Sequence, residues 1–275
     1  MTTLPSSLLL VGCGKMGGAL LQRWLDHGLA ATTVTVVEPH EETAAALRER
    51  YNLTVLSSPS EIAETPQAVV FAVKPQMMED TLPPYAGLAG GGAEGPLFIS
   101  IAAGRSIEFL ARHLGADAAI VRAMPNTPAA IGQGMTVACA SPAVGDAQRD
   151  LAAGLFTAAG AFAWVDSEEL LDPVTAVSGS GPAYVFLMAE CLAQAGVAAG
   201  LDEDLAHRLA RATVSGSGAL LDQADEAAAE LRKNVTSPGG TTEAALDVLM
   251  AEPGLQSLLT EAVAAAAARA RQLSS

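Results

Sequence analysis

The stretch Leu8–Leu25, LLLVGCGKMGGALLQRWL, decides the fold of the first half of the chain. Leu8 to Val11 read as a short strand buried on both faces. Leu20, Leu21, Trp24 and Leu25 then recur at helical spacing. Between them, Gly12, Gly14 and Gly17 stand in G-x-G-x-x-G spacing. Gly12 allows the tight strand-to-helix turn, Gly14 lets a pyrophosphate approach the backbone, and Gly17 lets helix and strand pack closely. The first turn of the helix offers free N–H groups and the positive end of a dipole to that anion. Three glycines alone are a weak signal. The strand before, the helix after, and Glu38, 21 residues beyond Gly17 at the end of the run VTVVE, turn them into a dinucleotide-binding unit. A Walker A loop is excluded, because Lys15 is followed by Met16 and not by Ser or Thr.

A chain of 275 residues has room for about two domains with cores of their own. No continuous apolar run approaches the length of about 18 residues that a membrane span requires, so a soluble globular protein is expected, with no membrane partner. The start MTTLPSS has no basic segment and LLLV is too short for a signal-peptide core, which points to a cytoplasmic protein. Cys13, Cys139 and Cys191 are far apart and odd in number, as expected of reduced thiols. The four histidines are scattered and no metal site is expected. A net charge of −15 argues against nucleic acid. An anionic ligand must then be held by local backbone N–H groups.

Further strands are expected at Val34–Glu38, Ala68–Val73, Leu97–Ile101, Ala119–Arg122, Met135–Ala140 and Phe162–Val165. Helices are expected at Glu41–Arg50 and Ser106–Leu114, and over Met77–Leu88 with a break at Pro83–Pro84. Beyond Asp166 only helical patterns remain: Glu168–Val177, Ala183–Ala199, Asp202–Ala224, Glu226–Lys233, Thr242–Met250 and Leu255–Gln272. The expected architecture is α/β. A Rossmann-type, doubly wound, mostly parallel sheet occupies residues 1–165, and an all-α domain occupies residues 166–275. The alanine-rich helices bury little area each, so the second domain is expected to pack against a second copy of itself.

Nothing supports nucleophilic catalysis. Ser178–Gly181, SGSG, suits close helix packing, with a lining role near a site as the alternative. Asn234–Ala245, NVTSPGGTTEAA, lies between two helices and has the glycines and hydroxyls that expose N–H groups to a carboxylate; an ordinary capped loop is the competing reading. Met124–Pro128, MPNTP, follows a strand at its carboxyl end, where ligands of open α/β sheets bind. Asn126 and Thr127 either face the nicotinamide or substrate there, or form an Asn-capped turn between two prolines. Lys74 ends another strand on the same side, either as a catalytic ammonium or for backbone geometry.

These stretches together resemble the pyrroline-5-carboxylate reductase family. The blocks are GCGKMG at Gly12–Gly17, AVKP at Ala72–Pro75, SIAAG at Ser100–Gly104, RAMPNTP at Arg122–Pro128, VSGSGPAY at Val177–Tyr184 and LRKNVTSPGGTTEAAL at Leu231–Leu246. The resemblance implies a Rossmann domain and a helical domain that interleaves with its twofold mate, giving a homodimer and often a larger assembly. It also implies hydride transfer from NADPH or NADH to the imine carbon of 1-pyrroline-5-carboxylate, giving L-proline.

By this resemblance the cofactor lies over Gly12, Cys13, Gly14, Lys15, Met16 and Gly17. Its nicotinamide end falls near Ala72, Val73, Lys74 and Pro75 and near Ile101, Ala102 and Ala103. Substrate would be bound by Ser237, Gly239, Gly240, Thr241, Thr242 and Asn126, with the N–H groups around Ser237–Thr241 and the Ser237 hydroxyl on its carboxylate. Thr242 is the candidate catalytic hydroxyl at the ring nitrogen. A protonated imine needs no strong protein base, so positioning and charge complementarity carry the reaction.

Cofactor choice turns on Glu38. A carboxylate there accepts hydrogen bonds from ribose hydroxyls but repels a 2′-phosphate. NADH use is therefore expected beside the NADPH that many family members prefer. Two other readings compete. A β-hydroxyacid dehydrogenase needs a catalytic lysine in the helical domain, where Lys233 is the sole lysine after Asp166. A non-catalytic dinucleotide-binding scaffold leaves the TSPGGTT segment without a purpose.

Overall fold

A computed structural model describes residues 4–274. The first half alternates strands and helices: β1 (Leu8–Val11), α1 (Lys15–Asp26), β2 (Val34–Val37), α2 (Glu41–Tyr51), β3 (Thr54–Leu56), β4 (Ala68–Phe71) and α3 (Met78–Thr81). There follow β5 (Leu97–Ser100), α4 (Ile107–Leu114), β6 (Ala119–Met124), β7 (Gly134–Ala140), α5 (Asp146–Thr157) and β8 (Gly160–Trp164). The strands form one sheet in the order β3-β2-β1-β4-β5-β6-β7-β8. In the parallel part, Leu8 of β1 pairs with Val34 on one side and Ala68 on the other. Order turns back at β1, with β2 on one side of it and β4 on the other. That is the switch point where a crevice opens beyond the carboxyl ends of the strands.

Apolar runs form these strands because both faces are covered. Leu8 and Leu10 enter the core beneath α1, α2 and α5, while Leu9 and Val11 enter the core beneath α3 and α4. Trp24 is fully buried, and its indole Nε1 donates to the Leu155 carbonyl at 2.8 Å, fastening α1 to α5. On the other face Phe71 meets Tyr85 edge-on at 5.3 Å and stacks with Phe98 at 6.3 Å.

Two features differ from the expected sheet. β3 is an additional strand of three residues, too short and too polar at Thr54 to show as an apolar run. The sheet also reverses: β7 runs antiparallel to β6, and β8 is parallel to β7. Only residues 125–133 join β6 to β7, fewer than the dozen or so that a parallel crossover needs, so the chain can only double back. The helix expected over Met77–Leu88 breaks at Pro83–Pro84 into α3 and a 3-10 turn at Pro83–Leu88, and a further short turn at Gly92–Glu94 lies in the connection to β5.

Strands end at Trp164, but the first compact unit runs to Gly179 and takes in residues 266–274. Buried Leu171 joins Val137 and Cys139 of β7 in a small apolar cluster, which is why the segment containing α6 (Leu171–Val174) stays with the sheet. The second unit, Ser180–Ala265, holds α7 (Gly181–Ala198), α8 (Glu203–Gln223), α9 (Ala228–Asn234), α10 (Thr241–Leu249) and most of α11 (Leu255–Ser274). Its own core is thin. α7 buries Ala193 and leaves Phe186, Leu187 and Met188 at 62%, 57% and 50% exposure. The helical run Glu168–Ala198 is long and apolar enough to cross a membrane by length and composition alone. A helix apolar on all sides requires a covering surface.

Candidate functional site

The switch-point crevice is built from strand ends. The Gly12 N–H donates to the Val37 carbonyl and the Ala72 N–H to the Val11 carbonyl, both at 2.9 Å. Those bonds carry the ladder one residue past β1 and β4. Gly12 then turns with φ +80°, and a Cβ on it would meet Val73 Cγ1 at 2.6 Å. A Cβ on Gly17 would meet the Gly12 carbonyl oxygen at 2.9 Å and Ala72 Cβ at 3.0 Å, so α1 rests directly on the β1 and β4 ends.

Gly14 differs in kind. It is the exposed N-cap of α1, and a Cβ there would meet nothing within 4 Å. The first turn of α1 carries no acidic side chain and no side-chain cap, and Lys15 stands exposed at its first position. Backbone donors, dipole and ammonium all favour an anion at this point.

Around this turn the structure places the other candidate residues. Ala72, Val73, Lys74 and Pro75 continue β4, with Lys74 exposed and extended. Ile101, Ala102 and Ala103 continue β5, where the Ser100 hydroxyl accepts from the Ala102 N–H at 3.3 Å. Glu38 ends β2 only 6% exposed. Its Oε2 accepts the Cys13 N–H at 3.0 Å and its Oε1 the His40 N–H at 3.1 Å. The carboxylate therefore latches the glycine loop as well as standing where a ribose is expected. Burial first, and the Glu38 charge second, push the Cys13 thiol up to about 11.

Asn126 has its amide engaged within the first unit. Oδ1 accepts the Met135 N–H at 2.8 Å, which settles the amide orientation, and Nδ2 donates to the Ser178 carbonyl and hydroxyl, both at 3.2 Å. Asn126 thus pins the end of β6 to β7 and to the π-helical turn Thr175–Gly179. In that turn a Cβ on Gly179 would meet Met124 Cε at 2.6 Å, so close packing accounts for this glycine of the SGSG segment.

One cluster escapes sequence reasoning. Arg122 of β6 pairs with Glu168 at 2.8 Å, with side chains 7% and 26% exposed. The same Glu168 oxygen accepts the Ile107 N–H at 2.8 Å, at the start of α4. The carboxylate binds β6, α4 and the segment after β8 together; nothing local in sequence joins residues 46 apart. Arg122→Met leaves that carboxylate without its counter-ion in a half-buried place. We expect a loss of about 2 kcal/mol in unfolding free energy, read as a lower urea midpoint at constant m-value.

In the second unit, Gly240 is the N-cap of α10 without a side-chain cap. Gly239 has φ +68°, its N–H donates to Glu243 Oε2 at 2.6 Å, and the Gly240 N–H donates to the Ser237 carbonyl at 3.0 Å. Glycine N–H groups of this loop are therefore already engaged. The donors left at the head of α10 are the N–H groups of its first turn and the hydroxyls of Ser237, Thr241 and Thr242, of which Thr242 is half-buried. Lys233 is exposed and paired with Glu230 at 2.6 Å, unlike a buried catalytic ammonium. Among the described residues no cluster of three His, Cys, Asp or Glu side chains could hold a metal.

Comparison with known proteins accounts for both units. Residues 168–273 match the family model for pyrroline-5-carboxylate reductase dimerisation. Residues 7–104 match the model described as NADP oxidoreductase, coenzyme F420-dependent. The chain is 42% identical to a pyrroline-5-carboxylate reductase of Synechocystis sp. over 96% of this chain and 97% of that one. It is 36% identical to the Pseudomonas aeruginosa enzyme of the same name, over 97% and 96% of the two chains. Among solved structures, the Coxiella burnetii pyrroline-5-carboxylate reductase superposes with a TM-score of 0.92 at 32% identity, covering 98% of this chain and 99% of that one. The Plasmodium falciparum pyrroline carboxylate reductase, solved with NADP bound, superposes with a TM-score of 0.82 at 29% identity, covering all of both chains. With a sheet that ends in an open turn favourable to an anion, an apolar helical unit that matches the dimerisation model, and relatives alike from end to end, the chain belongs to the pyrroline-5-carboxylate reductase family.

Proposed function

We propose that this chain transfers a hydride from NADPH or NADH to the imine carbon of 1-pyrroline-5-carboxylate, giving L-proline. The observation that carries this reading is the head of α10, where Ser237, Thr241 and Thr242 surround free first-turn N–H groups in a family that acts on a carboxylate-bearing imine. Residues 1–165 then serve the cofactor and residues 166–275 the substrate and the second copy. The bound nicotinamide supplies the hydride. The residues of this chain do the rest: the α1 turn holds the pyrophosphate, Ala72–Pro75 and Ile101–Ala103 flank the nicotinamide end, and the α10 turn neutralises the carboxylate.

The ring nitrogen must carry a proton when the hydride arrives, so that the amine and oxidised cofactor leave with charge balanced. The Thr242 hydroxyl holds that nitrogen in line and accepts from its N–H; no strong base is called for. Asn126 acts as a positioning residue through Met135 and Ser178. A second copy covers the exposed side chains of α7, which makes the enzyme a homo-oligomer. Its cysteines are free thiols, in keeping with a cytoplasmic enzyme.

Oxidation of NADPH or NADH on addition of the imine, with proline as product, is the direct test; no turnover with either cofactor would overturn the reading. Thr242→Ala should lower kcat about tenfold and change the cofactor KM less than about twofold, as for one hydrogen bond made chiefly in the transition state. Wild-type turnover in that variant would reduce Thr242 to a helix-start residue.

A further inference from the structure

On the face of the sheet opposite α1, α3 and α4 border a cleft of about 360 Å³, lined by Glu79, Arg105, Ser106, Phe109, Arg112 and His113. Two guanidiniums lie on one ring there: the Cζ atoms of Arg105 and Arg112 are 4.7 and 5.8 Å from the Phe109 centroid. The His113 ring is 4.9 Å from the same centroid. Glu108 stands four residues before Arg112, the spacing of a helical ion pair, yet no ion pair between them is present among the described residues. Nor, among the described residues, does a carboxylate pair with Arg105, whose Nε donates to the Pro75 carbonyl at 2.9 Å. Acids outnumber Lys and Arg by 30 to 15 in this chain, so two guanidiniums on one ring with no acidic partner among the described residues are not what composition alone would leave.

We propose that this cleft is a binding site for a phosphate group, separate from the cofactor site. Stacking on Phe109 holds the guanidiniums before any ligand arrives, which lowers the ordering cost of binding. Their planar donor forks match phosphate oxygens, and the Ser106 hydroxyl and the His113 ring add donors at the same wall. Glu79 opposes the ligand's charge and keeps the affinity moderate. The volume suits phosphate or a small phosphomonoester and not a dinucleotide. Arg105 also grips Pro75, so an occupied cleft bears on the β4 end where the nicotinamide is expected.

Calorimetric titration of the full-length protein, saturated with NADP⁺ so that the α1 turn is already filled, tests this with two probes: inorganic phosphate and glycerol phosphate. Saturable binding is expected, weakened about tenfold in Arg112→Gln at an unchanged melting temperature. Glu79→Gln should strengthen it severalfold by removing a like charge, an effect that loosened packing would not produce. Both should shrink as salt rises. Tighter binding of glycerol phosphate assigns the cleft to phosphomonoesters, and equal binding assigns it to free phosphate; either supports the site. Absence of saturable binding, or equal binding by wild type and Arg112→Gln, overturns it. The cleft shares no residue with the α1 turn or the α10 turn. A failure of the hydride-transfer reading would therefore show as absent turnover while the phosphate isotherms stood.

Discussion

Gly14→Ala should fold with wild-type stability and lose about a hundredfold in cofactor affinity, whereas Gly12→Ala should lose both. The two glycines sit two residues apart in one motif, but the structure holds them for different reasons. Gly14 has φ −70° and ψ −164°, a conformation open to alanine, and a Cβ on it touches no protein atom. The methyl group would stand in the space over the α1 turn, which the pyrophosphate needs. A hundredfold loss corresponds to about 2.7 kcal/mol, a reasonable cost for holding a pyrophosphate off its backbone donors. Gly12 has φ +80°, and its Cβ would lie 2.6 Å from Val73 Cγ1. Backbone strain and overlap together cost about 2–4 kcal/mol in that variant. Fluorescence titration with NADPH and a urea melt of each variant separate the cases. A Gly14→Ala protein that bound cofactor as wild type would move the pyrophosphate off the α1 turn.

Much of this unit is legible because its signals are local. Leu8–Val11 followed by three spaced glycines admits few arrangements, and both the turn and the packing of Gly17 on Ala72 follow from it. The helices of the second unit begin and end close to where their sequence signals fall, since runs of alanine and leucine bounded by Asp202 or by Gly239–Gly240 leave little ambiguity. What sequence pattern leaves hidden depends on distance or on direction. The reversal of β7 follows from the length of a connection, and the Arg122–Glu168 pair from two residues meeting across the sheet. Glu243 offers a middle case. It lies four residues after Gly239, within reach of that N–H, and capping logic places it there, as the capped-loop reading of this segment implies.

Glu38→Gln should raise the KM for both cofactors about tenfold and, on top of that, shift the kcat/KM ratio about tenfold toward NADPH. The first effect comes from the latch. Glu38 accepts N–H groups at both oxygens, from Cys13 and from His40. A glutamine offers only one acceptor oxygen, so one buried N–H loses its partner and the glycine loop loosens under either cofactor, at a cost of about 1.4 kcal/mol. The second effect comes from charge. A 2′-phosphate beyond β2 feels the carboxylate as a like charge. The two N–H donors and surrounding water reduce that repulsion to about tenfold in affinity, and it should diminish further as ionic strength rises. Measuring both cofactors at two salt concentrations separates the parts, because the latch acts on NADH and NADPH alike and does not respond to salt. A third reading is independent of turnover: the Cys13 thiol is held up to about 11 by burial and by the Glu38 charge, so removing the charge should bring it down part of the way. Quantifying alkylation of Cys13 against pH by mass spectrometry reports that shift. If the thiol responds and neither KM moves, Glu38 adjoins the loop without holding it. If the ratio stays fixed at low salt while both KM values rise, the carboxylate is a latch alone, and cofactor choice lies with other residues beyond β2.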